Sequence, residues 1–216
     1  MQALGRRGAK ALAELILPRS TVVWRGSDSR RGPGKVALTF DDGPCALTLD
    51  YLAVLERCEA RATFFLVGEM CRVYPELVSE IVARGHEVAG HGYTHRPFTA
   101  LSEQQLLAEL ADTQALLPPP SGRVLVRPPF GAVSLRSMLT CARAGYTTVL
   151  WSLDSGDWQN QQPRAVARAF ESGKIPAGEI ALLHEGQTWT LNALPAIVGG
   201  LRKAGHELVT VGELLG

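Results

Sequence analysis

Three times in this chain a helical stretch runs through a glycine straight into strand-forming residues. The segments are Ala83-Arg84-Gly85-His86-Glu87-Val88, Arg143-Ala144-Gly145-Tyr146-Thr147-Thr148-Val149 and Lys203-Ala204-Gly205-His206-Glu207-Leu208-Val209. Glycine accepts the left-handed conformation that ends a helix, so each segment reads as helix, stop, strand. A helix that leads back to a strand several times over builds a parallel α/β protein. The first strand is followed by Asp41-Asp42-Gly43-Pro44 and not by a Gly-rich phosphate turn. That favours a (β/α) barrel over an open doubly wound sheet.

About seven strands are expected, over residues 36–40, 62–66, 86–89, 124–126, 147–153, 180–183 and 207–211. They are short apolar runs bounded by turn residues. Pro75 suits a first helical position, with Leu77, Val78, Ile81 and Val82 as the apolar stripe behind it. Ser102 and Gln105 form a capping box ahead of Leu106, Leu110 and Leu117. Pro163 opens another helix, and Pro195 lies near the start of the last.

Residues 26–34 are a turn-rich linker. They divide an N-terminal helix and linker (1–34) from one catalytic-sized domain (35–216). Residues 2–17 read as an amphipathic helix docked on that domain. Arg6, Arg7 and Lys10 give it a basic face that could rest on a membrane surface. Glu14 and Pro18 interrupt its apolar stretch, so it makes neither a signal-peptide core nor a membrane span. With no export signal read, the expected compartment is the cytoplasm.

Lys plus Arg number 22 and Asp plus Glu 21, a net charge of +1, and aromatics make up only 6% of the 216 residues. Neither a basic surface nor a set of stacking platforms points to nucleic acid. Cys45, Cys58, Cys71 and Cys141 lack the close spacing of a zinc knuckle or redox motif, and they read as small buried hydrophobes, with Cys45 set apart because it directly follows Asp41-Asp42-Gly43-Pro44.

Barrel active sites stand at the C-terminal ends of the strands. Here those ends carry Asp41 and Asp42, His91 and His95, Arg127, Asp154 and Asp157, and His184, while the strands themselves are apolar. Two adjacent carboxylates at a strand end point in different directions, so one can bind a metal while the other faces substrate. His91 and His95 are four apart, and on a helical turn both imidazoles project from one face. With Asp42 they offer two nitrogens and one oxygen, the make-up of a hydrolytic zinc site. The same set fits a mononuclear iron oxygenase. The order of residues, carboxylate first and histidines paired, disfavours that. His86 and His206 follow helix-ending glycines away from the strand C-termini and read as structural.

These residues carry a family resemblance. Thr39-Phe40-Asp41-Asp42-Gly43-Pro44 resembles the first motif of the NodB-like polysaccharide deacetylases. Ala62-Thr63-Phe64-Phe65, His91 to His95, Arg127-Pro128-Pro129-Phe130-Gly131, Asp154-Ser155-Gly156-Asp157-Trp158 and Leu182-Leu183-His184 resemble the motifs that follow, in the same order. The likeness covers roughly residues 35–211. It implies a distorted, incomplete (β/α) barrel.

The resemblance also implies roles. Asp42, His91 and His95 would hold a divalent metal, most often Zn2+, with Co2+ able to serve. Asp41 would be the general base, paired with and aimed by Arg127. The backbone N–H of Phe130 would stabilise the oxyanion, its ring being unused. His184 would protonate the leaving amine, with Asp157 holding the imidazole. Trp158 and Leu182 would wall a pocket for the acetyl methyl. The chain departs from the family pattern at Gly90, Gly92 and Glu185, where Asn, Ser or Thr, and Asp are usual. Gly92 removes a supporting hydrogen bond near the metal loop.

The expected activity is N-deacetylation of an N-acetylated glycan with release of acetate. An O-acetyl xylan-type esterase and a carbohydrate-binding protein that has lost catalysis are the alternatives.

Overall fold

The computed structural model describes residues 18, 20–26, 33–171 and 175–216. The expected helix over 2–17 and most of the expected linker lie outside the described residues.

Among the described residues nine parallel strands form one sheet. They are β1 (Val22–Val23), β2 (Lys35–Gly43), β3 (Thr63–Leu66), β4 (Glu87–Gly90), β5 (Val124–Val126), β6 (Tyr146–Val149), β7 (Leu153–Asp154), β8 (Ile180–His184) and β9 (Glu207–Val209). The order is β1-β6-β5-β4-β3-β2-β8-β7. β9 pairs with β2 over Lys35–Ala37, below the stretch where β3 pairs Thr39–Gly43. The helices are α1 (Thr48–Arg57), α2 (Gly68–Val73), α3 (Pro75–Ala83), α4 (Glu103–Gln114), α5 (Leu135–Arg143), α6 (Pro163–Arg168), α7 (Thr188–Lys203) and α8 (Val211–Leu215).

The connectivity forces the sheet to curl. β6 and β7 stand six places apart in the order, about 29 Å in a flat sheet at ~4.8 Å per strand. Residues 150–152 alone join them, and that chain spans about 14 Å at most. The two ends of the sheet must therefore approach one another, as in the incomplete barrel that the family resemblance implies. The same jump corrects one expectation. The strand read over 147–153 is split into β6 and β7, because the chain leaves one end of the sheet after Val149 and joins the other at Leu153. β1, at two residues, was too short to read.

The three helix–glycine–strand joins take the predicted form. Gly85, Gly145 and Gly205 have φ of 79°, 85° and 85°. Each closes its helix with an N–H to the carbonyl three residues back, on Val82, Ala142 and Arg202. The capping box of Ser102 and Gln105 is present, and Pro163 opens α6. Pro195 lies inside α7, which already begins at Thr188.

Strand alternation builds two layers. Val36, Leu38 and Phe40 of β2 and Ala181 and Leu183 of β8 face outward, against α1, α3, α6 and α7. Ala37, Phe65, Ala89, Val149 and Ile180 face into the barrel. Thr39 and Asp41, and Leu182 and His184, follow the inward parity. His86 and His206 are buried structural residues. His86 Nδ1 accepts the Ala62 N–H at 3.2 Å, and burial lowers its pKa to about 4. The four cysteines are free thiols.

Candidate active site

The strand alternation that aims Asp41 inward also places it over Arg127, a fully buried guanidinium at the end of β5. Arg127 reaches across the barrel. Its Nε and Nη2 donate to the carbonyls of Val149 and Leu150 at 3.3 and 3.2 Å. Its Nη1 donates to Thr39 Oγ1 at 2.7 Å and to Asp41 Oδ1 at 2.6 Å. Its charged carbon lies 3.9 Å from the centre of the Phe65 ring. Every arm of the guanidinium is engaged, so Asp41 Oδ1 is held and Oδ2 is left facing His91 Nε2, 3.7 Å away.

Asp42 follows at a φ of 74°. Its Oδ1 lies 3.4 Å from His91 Nε2 and 3.0 Å from His95 Nε2. Donors bonded to one tetrahedral zinc at ~2.0–2.1 Å stand about 3.3 Å apart, so the set fits such an ion in composition and in the two distances from Asp42, with all three ligand atoms within 4.8 Å of one another. His91 Nδ1 lies 2.8 Å from the Arg127 carbonyl. A carbonyl only accepts, so Nδ1 carries the proton and Nε2 is free as a ligand. Burial would raise the Asp42 pKa, but toward protonated imidazoles the hydrogen bonds with His91 and His95 and the charges of His91 and His184 outweigh it and hold it well below the usual carboxylate range.

The His91–His95 segment is not the helical turn that its spacing suggested. It is an irregular loop, and Gly92 (φ 77°) and His95 (φ 55°) bring the two imidazoles together. Three of the four non-glycine residues with positive φ among those described, Asp42, His95 and Phe130, surround this cluster. Such strain collects where a site over-determines its backbone.

His184 ends β8, directly across the ladder from Asp41. Its Nδ1 lies 2.7 Å from Asp157 Oδ1. Asp157 is fully buried, and its Oδ2 also accepts from the His184 N–H and the Thr190 hydroxyl, both at 2.8 Å. Burial alone would lower the His184 pKa. The hydrogen bond and charge of Asp157, with the charges of Asp41 and Asp42, raise it to about 9 instead. Leu182 lies two residues below His184 on the same face and is buried, whereas Trp158 is 54% exposed at the rim. Asp154 braces its own loop, accepting from Trp151 Nε1 and the Gly156 N–H.

Phe130 also departs from expectation. Its ring is 60% exposed and packs against the His95 imidazole, centres 4.7 Å apart, so the side chain is not idle. Its N–H takes no part in the bonds that close the surrounding turn, which run from Gly131 to Pro128 and from Ala132 to Pro129.

Sequence reasoning missed several supporting residues. Thr39 was read only as part of its motif, and Thr190 carries no sequence signal. Glu109 does, as a carboxylate on the buried stripe Leu106, Glu109, Leu110, Thr113 of α4. Glu185 is buried, accepts from the Thr48 hydroxyl at 2.7 Å and packs so closely on Gly43 that any side chain there would collide. Burial, with the nearby charge of Asp42, raises its pKa to about 7 against an opposing bond from Thr48. A carboxyl whose folded pKa exceeds its unfolded value of about 4.5 binds its proton more tightly when folded. The fold therefore loses stability as pH rises from about 4.5 to 7, by about 3 kcal/mol at ~1.4 kcal/mol per unit. Glu185→Gln should gain several degrees of melting temperature over the wild type between pH 5 and pH 8. A difference that stays flat across that range would show a carboxylate already charged in the fold.

The chain is similar to known proteins over most of its length. The sequence model for the polysaccharide deacetylase family matches residues 28–149. The chain is 33% identical over 211 residues to a peptidoglycan-N-acetylglucosamine deacetylase of Bacillus cereus, covering 94% of this chain and 97% of that one. It is 33% identical over 184 residues to the peptidoglycan-N-acetylmuramic acid deacetylase PdaC of Bacillus subtilis, covering 83% of this chain but only 38% of that longer protein. Among solved structures it resembles the Bc1960 peptidoglycan N-acetylglucosamine deacetylase, with a TM-score of 0.83 at 26% identity, over 91% of this chain and 94% of that one.

Proposed function

The chain belongs to the polysaccharide deacetylase family, and from that premise we propose that it is a metal-dependent hydrolase of N-acetylated amino sugars in an oligo- or polysaccharide, releasing acetate and the free amine. The observation that carries this reading is the meeting, at one end of the barrel, of a two-nitrogen, one-oxygen donor set with a carboxylate on one side and a raised-pKa imidazole on the other. The named activities of the two relatives, both on N-acetylated amino sugars, support the substrate class.

Asp42, His91 and His95 would hold the ion, with zinc the best fit to their chemistry. Zinc, when held there, supplies the Lewis acidity that polarises an acetyl carbonyl and acidifies water. Asp41 takes the proton from the attacking water at Oδ2, because Arg127 occupies Oδ1. The Phe130 N–H, unspent in its own turn, donates to the developing oxyanion. His184, protonated at neutral pH and tied at Nδ1 to Asp157, delivers a proton from Nε2 to the leaving nitrogen. Leu182 and Trp158 flank the acetyl methyl.

The test is acetate release by the zinc-loaded chain from an N-acetylglucosamine oligomer, with acetylated xylan in parallel. The reading expects acetate and free amine in equal amounts from the first. Acetate from xylan alone would make the protein an O-acetyl esterase, and acetate from neither would leave only binding.

A further inference from the structure

His91 and His95 are joined by three residues, Gly92, Tyr93 and Thr94, in an irregular loop that is itself neither helix nor strand. His91 is held independently. Its N–H donates to the Leu66 carbonyl at 2.8 Å, and its Nδ1 to that of Arg127. His95 is carried by the loop, so whatever fixes Tyr93 and Thr94 sets where its imidazole stands.

On one edge of the loop, the Gly92 and Tyr93 carbonyls accept from the N–H groups of Gly68 and Glu69 at 3.0 and 2.9 Å. On the other edge, one side chain takes three of the loop's donors. Glu109 Oε2 accepts the N–H of Tyr93 at 2.6 Å and that of Thr94 at 2.8 Å, and Oε1 accepts the Thr94 hydroxyl. Glu109 is only 8% exposed, and three charge-assisted bonds hold its carboxylate in a helix stripe that is otherwise leucine and threonine. Gly92 cannot brace the loop itself. At a φ of 77°, a Cβ there would meet Phe98 Cε1 at 3.2 Å and Glu109 Oε2 at 3.5 Å.

We infer that Glu109 is the positioning residue of the metal loop, acting through Tyr93 and Thr94 to hold His95 in register with His91 and Asp42. This rests on the metal reading above. Without the carboxylate, two N–H groups and a hydroxyl lose their acceptor, and His95 is free to swing from its place 3.0 Å from Asp42. Outer-shell partners of this kind typically change metal affinity by about 10–100-fold.

The test is zinc affinity of the metal-stripped full chain, by competition with a chromophoric chelator, beside a melting curve of each metal-free variant. Glu109→Ala should bind zinc about 10–100-fold more weakly than the wild type. Glu109→Asp keeps a carboxylate on the helix but draws it back by one methylene, and should also weaken zinc; it serves if the alanine variant fails to fold. Glu109→Gln keeps an oxygen for the two N–H groups and an amide beside the Thr94 hydroxyl, and should restore affinity to within about threefold. Wild-type affinity in folded Glu109→Ala or Glu109→Asp would overturn the inference, as would a glutamine variant no better than alanine. A wild-type chain that binds no zinc would instead overturn the metal reading itself.

Discussion

Asp41→Asn should keep its zinc and lose turnover of the N-acetyl substrate by about 10²–10⁴-fold, the usual worth of a general base. An amide can still accept the Arg127 Nη1 hydrogen bond that now runs to Oδ1, but it cannot take a proton from water. The neighbouring substitution should do the reverse. Asp42→Asn weakens the one oxygen donor of the set, so zinc affinity should fall first and activity with it. The two residues are adjacent and both approach His91, but Asp41 is tied to Arg127 while Asp42, at a positive φ, reaches His95. Asp41→Asn also leaves the fully buried guanidinium of Arg127 without its counter-charge. Its stability should drop by up to about 3–5 kcal/mol, and activity must be read on protein shown to be folded. Zinc lost from Asp41→Asn and kept by Asp42→Asn would reverse the two assignments.

His184→Ala should cripple cleavage of an N-acetyl sugar while sparing more of the activity on an activated acetate ester. An amine leaves poorly unless it is protonated, whereas an activated alkoxide leaves unaided. The pair with Asp157 is built to keep that proton, with the His184 pKa raised to about 9. The alkaline limb of the rate profile should therefore lie above the ordinary histidine range. Asp157→Asn should move it to lower pH, because a neutral amide neither attracts nor accepts as strongly. The same shift ties stability to pH. A histidine whose folded pKa exceeds its unfolded value near 6.5 stabilises the fold fully below that pH, and the gain is lost as pH rises through about 9. Zinc content should be unchanged in both variants. Equal losses on amide and ester would remove His184 from the role of leaving-group acid.

The parallel α/β architecture was legible because its signals are local. A helix-ending glycine, a capping box and a short apolar run each act within a few residues, and Gly85, Ser102 and Phe40 behave as read. The split of β6 from β7 was not legible, since it follows from how far the sheet curls, which no window of sequence contains. The site was visible as polar residues at strand ends, and the structure brings Asp41, Asp42, His91, His95, Arg127, Asp157 and His184 to one end of the barrel. Residues that act through others were harder to see. Glu185 looked like a minor departure until burial placed it against Gly43 and Thr48. The ring of Phe130 looked unused until the left-handed backbone turned it onto His95. Glu109 was readable in principle as a charge on an apolar stripe, but its partners lie on a loop fifteen and sixteen residues earlier.

The most direct measurement is a zinc titration of the metal-stripped chain, following bound metal and acetate release from an N-acetylglucosamine oligomer in the same samples. Activity should be absent at the start, rise in proportion to bound zinc, and level off at about one ion per chain, the capacity of one carboxylate and two imidazoles. His95→Ala should remain folded and show neither binding nor recovery. Full acetate release by a verified metal-free sample would contradict the account.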